Sequence, residues 1–285
     1  MRKQLVKTVE SILEQDSRVV LLLGDIGVYG FRDAFKRFPN RVFNIGILEQ
    51  ASISLAAGLA TEGLIPIFHS IAPFIVERAA EQIKIDLGYQ KLGVNLISVG
   101  ASYDYSSLGA THHCPGDVQI LKTIPGMQVF VPGHSEEFDY QFRTNYDNGK
   151  PNYFRLTEHS NLYPMPQDYI RRGTRGTVLA IGPMLDRTLE ACNGLDVSVI
   201  YNNVAEPFYC PELIMSQPRN LIVVEPFYEG TMSYDVQRRL GASDVLHIGV
   251  PREFLTSYGT PEQHDEKYRL TVNGIRSRIK EFLNL

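Results

Sequence analysis

The feature that most narrows the fold is a series of short, almost wholly apolar runs, each followed by a stretch of helical length. Val19 to Leu23 stops abruptly at Gly24 and Asp25, and Val42 to Ile45, Ile65 to Phe68, Val94 to Val99 and Gln128 to Val131 follow the same plan. Runs with no polar alternation have both faces covered, and strands of that kind alternating with helices predict a parallel sheet sandwiched between helices. Ahead of the first run, Leu5, Val6, Val9, Ile12 and Leu13 recur at helical spacing, so residues 1 to 15 read as a helix feeding a buried strand. Between the second and third runs, Leu48 to Glu62 is rich in Ala and Gly and ends before Gly63, a natural helix C-cap. The small residues Ala56, Ala57, Gly58 and Ala60 predict a helix packed closely on several sides.

The pattern is interrupted by prolines, arginines and glycines between Ser160 and Gly176, then resumes with Thr177 to Gly182, Val197 to Tyr201, Leu221 to Glu225 and Val245 to Gly249. The expected organisation is therefore an α/β domain over residues 1–163, a linker over 164–176, and a smaller α/β domain over 177–285. A length of 285 residues with 44% hydrophobic content is sufficient for two such cores. A net charge of −4 with scattered Lys and Arg gives no footing for nucleic acid or acidic lipid, and no run approaches the ~20 apolar residues that cross a bilayer. Cys114, Cys192 and Cys210 are widely separated and odd in number, which argues against a disulfide framework or a zinc site and fits a cytoplasmic protein.

Three stretches carry polar groups where a parallel sheet places its ligands. Gly24-Asp-Ile-Gly-Val-Tyr-Gly30 has GxxGxxG spacing, not the GxGxxG of a dinucleotide turn, so it reads as a glycine-rich turn at the ligand-binding edge and puts Asp25 there. Asn44-Ile-Gly-Ile-Leu-Glu-Gln50 sets Glu49 at the start of an otherwise apolar helix, where it complements the helix dipole but is expensive to bury without a partner. Gly109-Ala-Thr-His-His-Cys-Pro-Gly-Asp117 presents His112 and His113 in a glycine-flanked loop. His69 follows the third strand and Arg155 ends another.

Arg41-Val-Phe-Asn-Ile-Gly-Ile-Leu-Glu-Gln50, followed by Ala56-Ala-Gly-Leu-Ala-Thr-Glu-Gly63, resembles the pyrimidine-binding domain of transketolases and deoxyxylulose-phosphate synthases. The resemblance continues through Gly109-Ala-Thr-His-His113, Ile124-Pro-Gly-Met127 and Phe154-Arg155 into Thr177-Val-Leu-Ala-Ile-Gly182, the start of the family's C-terminal domain. It implies thiamine diphosphate as cofactor, with Glu49 bonded to a ring nitrogen of the aminopyrimidine so that proton exchange there activates the cofactor as a carbon nucleophile. It also implies a substrate-contacting role for His112, with His113 beside it, and a phosphate-gripping role for Arg155. Alignment through Glu77, Arg78 and Ala79 puts Ile75 where relatives stack an aromatic ring on the pyrimidine, with Phe74 as its neighbour. Asp25 and His69 are expected along the same substrate edge.

The departures from the family pattern shape the expectation as much as the matches do. Leu108 stands where many relatives have an Asp that reads a sugar hydroxyl, and Tyr103-Asp-Tyr-Ser-Ser-Leu108 is tyrosine-rich enough to reshape the acceptor pocket. Relatives also bind Mg²⁺ through a Gly-Asp-Gly followed ~25 to 30 residues later by Asn. No Gly-Asp-Gly occurs anywhere in this sequence. The resemblance therefore implies a separate N-terminal subunit carrying that motif, with the cofactor at the interface of a two-plus-two heterotetramer transferring a two-carbon ketol unit between sugars. Alternatives are the beta subunit of a 2-oxoacid dehydrogenase, which would release CO₂, and a non-catalytic scaffold that retains the fold.

Overall fold

The computed structural model describes residues 1–216, 220–240 and 244–285. The chain begins with α1 (Arg2–Gln15), which buries Leu5, Val9, Ile12 and Leu13 along one stripe, and passes to β1 (Val19–Leu23), buried on both faces as an uninterrupted apolar run requires. The first domain continues through α2 (Arg32–Arg37), β2 (Val42–Asn44), α3 (Glu49–Thr61), β3 (Ile65–Ile71), a π-helical turn at Pro73–Glu77, α4 (Ala80–Gln82), β4 (Asn95–Val99), α5 (Asp117–Leu121), β5 (Gln128–Phe130), α6 (Ser135–Asn145) and β6 (Asn152–Arg155). Then come β7 (Asp168–Arg171), β8 (Thr177–Ile181), α7 (Leu185–Ala191), β9 (Ser198–Asn202), β10 (Val204–Glu206), α8 (Pro211–Ser216), β11 (Asn220–Tyr228), α9 (Ser233–Leu240), β12 (Asp244–Val250), α10 (Pro261–Lys267) and α11 (Val272–Leu283).

The described strands form two helix-covered sheets, ordered β10-β5-β6-β4-β3-β1-β2 and β12-β11-β8-β9-β7. The α/β class expected from the apolar runs is what the chain adopts. From β2 to β5 every pairing in the first sheet is parallel, so Leu23, Asn44, Ile71, Val99 and Arg155 all end at one edge. The chain leaves β1 for β2 on one side and returns to β3 on the other, and the crevice between the C-terminal ends of β1 and β3 is where an open α/β sheet receives a ligand. Gly24 sits in that crevice, where a Cβ would come within 3.0 Å of the Ser70 hydroxyl.

The segment expected to be a linker is partly a strand. β7 lies antiparallel to β9 at the edge of the second sheet, and Arg171 reaches back to the carbonyls of Cys192 and Val197. Nor does the second domain keep to its own sheet, because β10 turns back from β9 and pairs antiparallel with β5. The close packing expected on several sides of α3 is, among the described residues, confined to one face. Ser52, Ile53, Ala56 and Ala57 are buried, while Ala51, Leu55 and Gly58 remain exposed. No described helix is long and apolar enough to cross a membrane.

Candidate active site

The turn from β2 into α3 is shaped by Gly46, whose φ of 82° suits a residue without a Cβ. Asn44 pins both loops at this edge, accepting at its Oδ1 from the backbone N–H of Asp25 at 3.0 Å and of Gly46 at 3.2 Å. Its amide donates in return to the Asp25 carboxylate at 3.0 Å. This delivers Glu49 as the first residue of α3, favourable to the helix dipole, yet only 1% exposed. The Arg78 guanidinium donates to Oε2 at 2.7 Å and the Ser70 hydroxyl reaches Oε1 at 3.4 Å. The burial is tolerable because the charge has a cationic partner, and that partner is itself 37% exposed.

Arg78 also lies 4.2 Å from the centroid of the Phe74 ring, and Phe74 meets the His112 imidazole edge to face at 5.3 Å. Glu49, Arg78, Phe74 and His112 thus form one continuous line of contacts. The π-helical turn sets the geometry: it carries the Arg78 N–H back to the Pro73 carbonyl at 3.1 Å and leaves Phe74 and Arg78 on its outer face. Ile75 is fully buried in the core with Val76, Ala79, Ile83 and Leu87, so the ring presented at the site is Phe74 and the stacking position assigned to Ile75 points inward. His112 ends a short 3-10 turn after Gly109, half-buried, with Thr111 Oγ1 2.9 Å from its Nδ1.

Asp25 and His69 occupy the expected edge but differ in access. Asp25 is exposed, with a φ of 57°. His69 is buried, its Nδ1 is 2.8 Å from the Ile97 carbonyl, and its other side presses on Gly27, where a Cβ would come within 3.0 Å of the ring. Burial lowers the His69 pKa to about 4, so the imidazole is neutral near pH 7.

Arg155 and His113 are drawn away from this line into the domain boundary. Arg155 is fully buried, bonded through Nε to Asp117 at 2.8 Å and through Nη2 to Ser102 at 2.7 Å and the Pro226 carbonyl at 3.3 Å. Its Nη1 has no partner, and the residue borders a cleft of about 230 Å³ between the domains that also holds Asp104, Arg187 and Asp265. Burial raises the Asp104 carboxyl to about 7. His113 packs edge to face on His264 at 5.4 Å, and Tyr103 stacks on His264 at 5.2 Å while its hydroxyl donates to Asp265. Neither imidazole has a hydrogen-bond partner of normal geometry, although backbone groups of Ser106 and Leu255 lie near His113. Tyr103 is thereby committed to the boundary and Tyr105 to Arg2 and Gly100, whereas Leu108 is 51% exposed.

Sequence reasoning missed Ser70 and Asn44 as supports of the site. The available signal for Ser70 was the polar pair His69-Ser70 near the end of an otherwise apolar strand.

Three comparisons bear on this arrangement. The family described as "Transketolase, pyrimidine binding domain" matches residues 1–164. A 33.6 kDa protein of the fasciation locus of Rhodococcoides fascians is 38% identical over 289 residues, covering 97% of this chain and 92% of that protein. The 1-deoxy-D-xylulose-5-phosphate synthase 2 of Geobacter sulfurreducens is 29% identical over 298 residues, covering 94% of this chain but 47% of the synthase. This chain thus spans about half the length of the synthases it matches. Among solved structures, a split-gene transketolase described as an inactive beta4 tetramer superposes with a TM-score of 0.85 at 25% identity, over 100% of this chain and 98% of that one.

Proposed function

Because the chain belongs to the transketolase pyrimidine-binding-domain family, whose members include thiamine diphosphate-dependent enzymes, we propose that it is the C-terminal subunit of a split transketolase. In this reading it transfers a two-carbon ketol unit between sugars or sugar phosphates, in a two-plus-two assembly with an N-terminal subunit. The observation that carries the reading is Glu49: a carboxylate 1% exposed at a helix start, paired to a partly exposed arginine and lined up with Phe74 and His112.

These groups fit the pyrimidine half of thiamine diphosphate. Glu49 would donate or accept a proton at a ring nitrogen, with Arg78 moving off Oε2 as the ring arrives, and Ser70 would keep the carboxylate aimed. Phe74 offers the ring a flat apolar contact, and His112 is placed to donate to a sugar oxygen. When bound, the cofactor supplies the carbon nucleophile. Asp25 extends the polar edge toward substrate with His69 packed behind its loop, while His113 and Arg155 brace the domain boundary.

The diphosphate and Mg²⁺ belong to the partner in this proposal, because the chain has no Gly-Asp-Gly to hold them. The partner's place is supported by an open apolar surface around Glu49, where Ile47 is 64%, Leu48 56%, Leu55 43% and Phe43 41% exposed. Cys114 and Cys192 are buried free thiols, which suits a reducing cytoplasm. The test mixes the chain with an N-terminal subunit carrying Gly-Asp-Gly and follows ketol transfer to an aldehyde acceptor alongside CO₂. Transfer without CO₂ supports the proposal; CO₂ release from a 2-oxoacid, or no turnover by the assembled complex, overturns it.

A further inference from the structure

The second domain holds a line of side chains for which ketol transfer has no use. Glu225 lies on β11, Ser233 opens α9 after the turn that follows, and His247 lies on β12, set beside β11 by the register Val223 to His247. His247 Nδ1 is 2.8 Å from Glu225 Oε1, and His247 Nε2 is 2.9 Å from Ser233 Oγ. Glu225 is fully buried, and both of its oxygens also accept from the backbone, Oε1 from Gly230 N–H at 2.6 Å and Oε2 from Met232 N–H at 3.1 Å. Burial pushes the Glu225 carboxyl above its usual range, while the facing imidazole and the two backbone N–H groups oppose that rise. With Glu225 ionised, Nδ1 is the protonated nitrogen of His247 and Nε2 is left to accept from the Ser233 hydroxyl. An acid that fixes the tautomer, a base that faces a hydroxyl and a hydroxyl at hydrogen-bond distance are the parts of an activated serine nucleophile.

The surroundings supply what such a nucleophile needs. Ser233 is partly exposed, and the strand–turn–helix path lifts it clear of the sheet. The N–H groups of Tyr234 and Asp235 lie in the first turn of α9, where no intrahelical carbonyl is available to them, so they can receive an oxyanion.

We propose that Ser233, His247 and Glu225 form a second catalytic site that hydrolyses small activated carboxylic esters. Ser233 Oγ bonds to the ester carbonyl carbon as its proton passes to His247 Nε2. The carbon–oxygen bond to the alcohol then breaks, and the alcohol leaves with that proton. A water molecule, deprotonated by the same nitrogen, releases the acid and restores the serine.

The test treats the full-length chain with a fluorophosphonate, which replaces its fluoride with the serine oxygen, and maps the labelled peptide. In parallel it measures hydrolysis of p-nitrophenyl acetate by the wild type, Ser233→Ala and His247→Gln, with circular dichroism melts to establish that each variant is folded. Labelling at Ser233, with labelling and hydrolysis lowered about 100-fold or more in folded His247→Gln, is the expected result. Absence of label, label on another serine, or equal rates in wild type and folded His247→Gln would overturn the assignment. Should His247→Gln unfold, the same reading is taken from Ser233→Ala hydrolysis.

Discussion

Arg155 and Asp117 meet at 2.8 Å with neither side chain exposed to solvent, an ion pair that ties the end of β6 to the start of α5. The arginine's second arm crosses to Ser102 and the Pro226 carbonyl, so it braces the two domains. Arg155→Met should strand a buried carboxylate and cost about 3–5 kcal/mol, read as a lower midpoint in urea. Adding Asp117→Asn should recover part of that loss. An unchanged midpoint with a raised KM for phosphorylated substrate would instead make Arg155 a phosphate ligand.

Glu49→Gln keeps the side-chain volume and can still accept from Ser70, so the melting temperature should move little. Turnover with the partner subunit should fall by about 10²–10⁴, the range for a lost general acid–base group. Equal kcat in the variant and the wild type would remove Glu49 from the chemistry.

Phe74 and Ile75 should separate cleanly. Phe74→Ala should raise the thiamine diphosphate concentration needed for half-maximal activity and leave the melt nearly unchanged, since the ring is half-buried at the surface. Ile75→Ala should cost about 2–5 kcal/mol of stability through the cavity it opens. Equal effects of the two on cofactor requirement would return the stacking role to Ile75.

Stability should depend on pH through two groups of opposite sign. His69 has its pKa lowered from 6.5 to about 4 by burial, so the unfolded chain takes up a proton below pH 6.5 that the folded chain refuses. Its contribution is full above 6.5 and is lost as pH falls toward 4, by about 3 kcal/mol at most. Asp104 has its pKa raised from 3.8 to about 7 by burial, so its contribution is full below 3.8 and is lost as pH rises toward 7. Urea midpoints between pH 4.5 and 8 should fall less steeply with acid in His69→Gln than in the wild type. In Asp104→Asn they should hold up better toward neutral pH, and curves that coincide with the wild type would contradict both assignments.

The parallel strands were legible because burial on both faces leaves an unbroken apolar run. Val19–Leu23 has the bounds its composition implied, and Glu49 stood out as an acid opening an apolar helix. Two of the edge strands, β7 and β10, were not legible. β7 and β10 are three or four residues long, carry charged residues, and owe their structure to neighbours distant in sequence. That Ile75 faces the core while Phe74 faces outward has a backbone cause, the π-helical turn at Pro73–Glu77, which spacing alone does not encode. His112 and His113 are adjacent in sequence, yet the 3-10 turn ending at His112 sends one ring to Phe74 and the other to His264, a parting that spacing alone does not encode.

The strand β10 ties the fate of the first sheet to the second domain. A fragment ending at residue 176 would leave β5 with a bare row of amide and carbonyl groups along its outer side, a template for other chains. Such a fragment should self-associate, and the two halves of the molecule should melt in a single step.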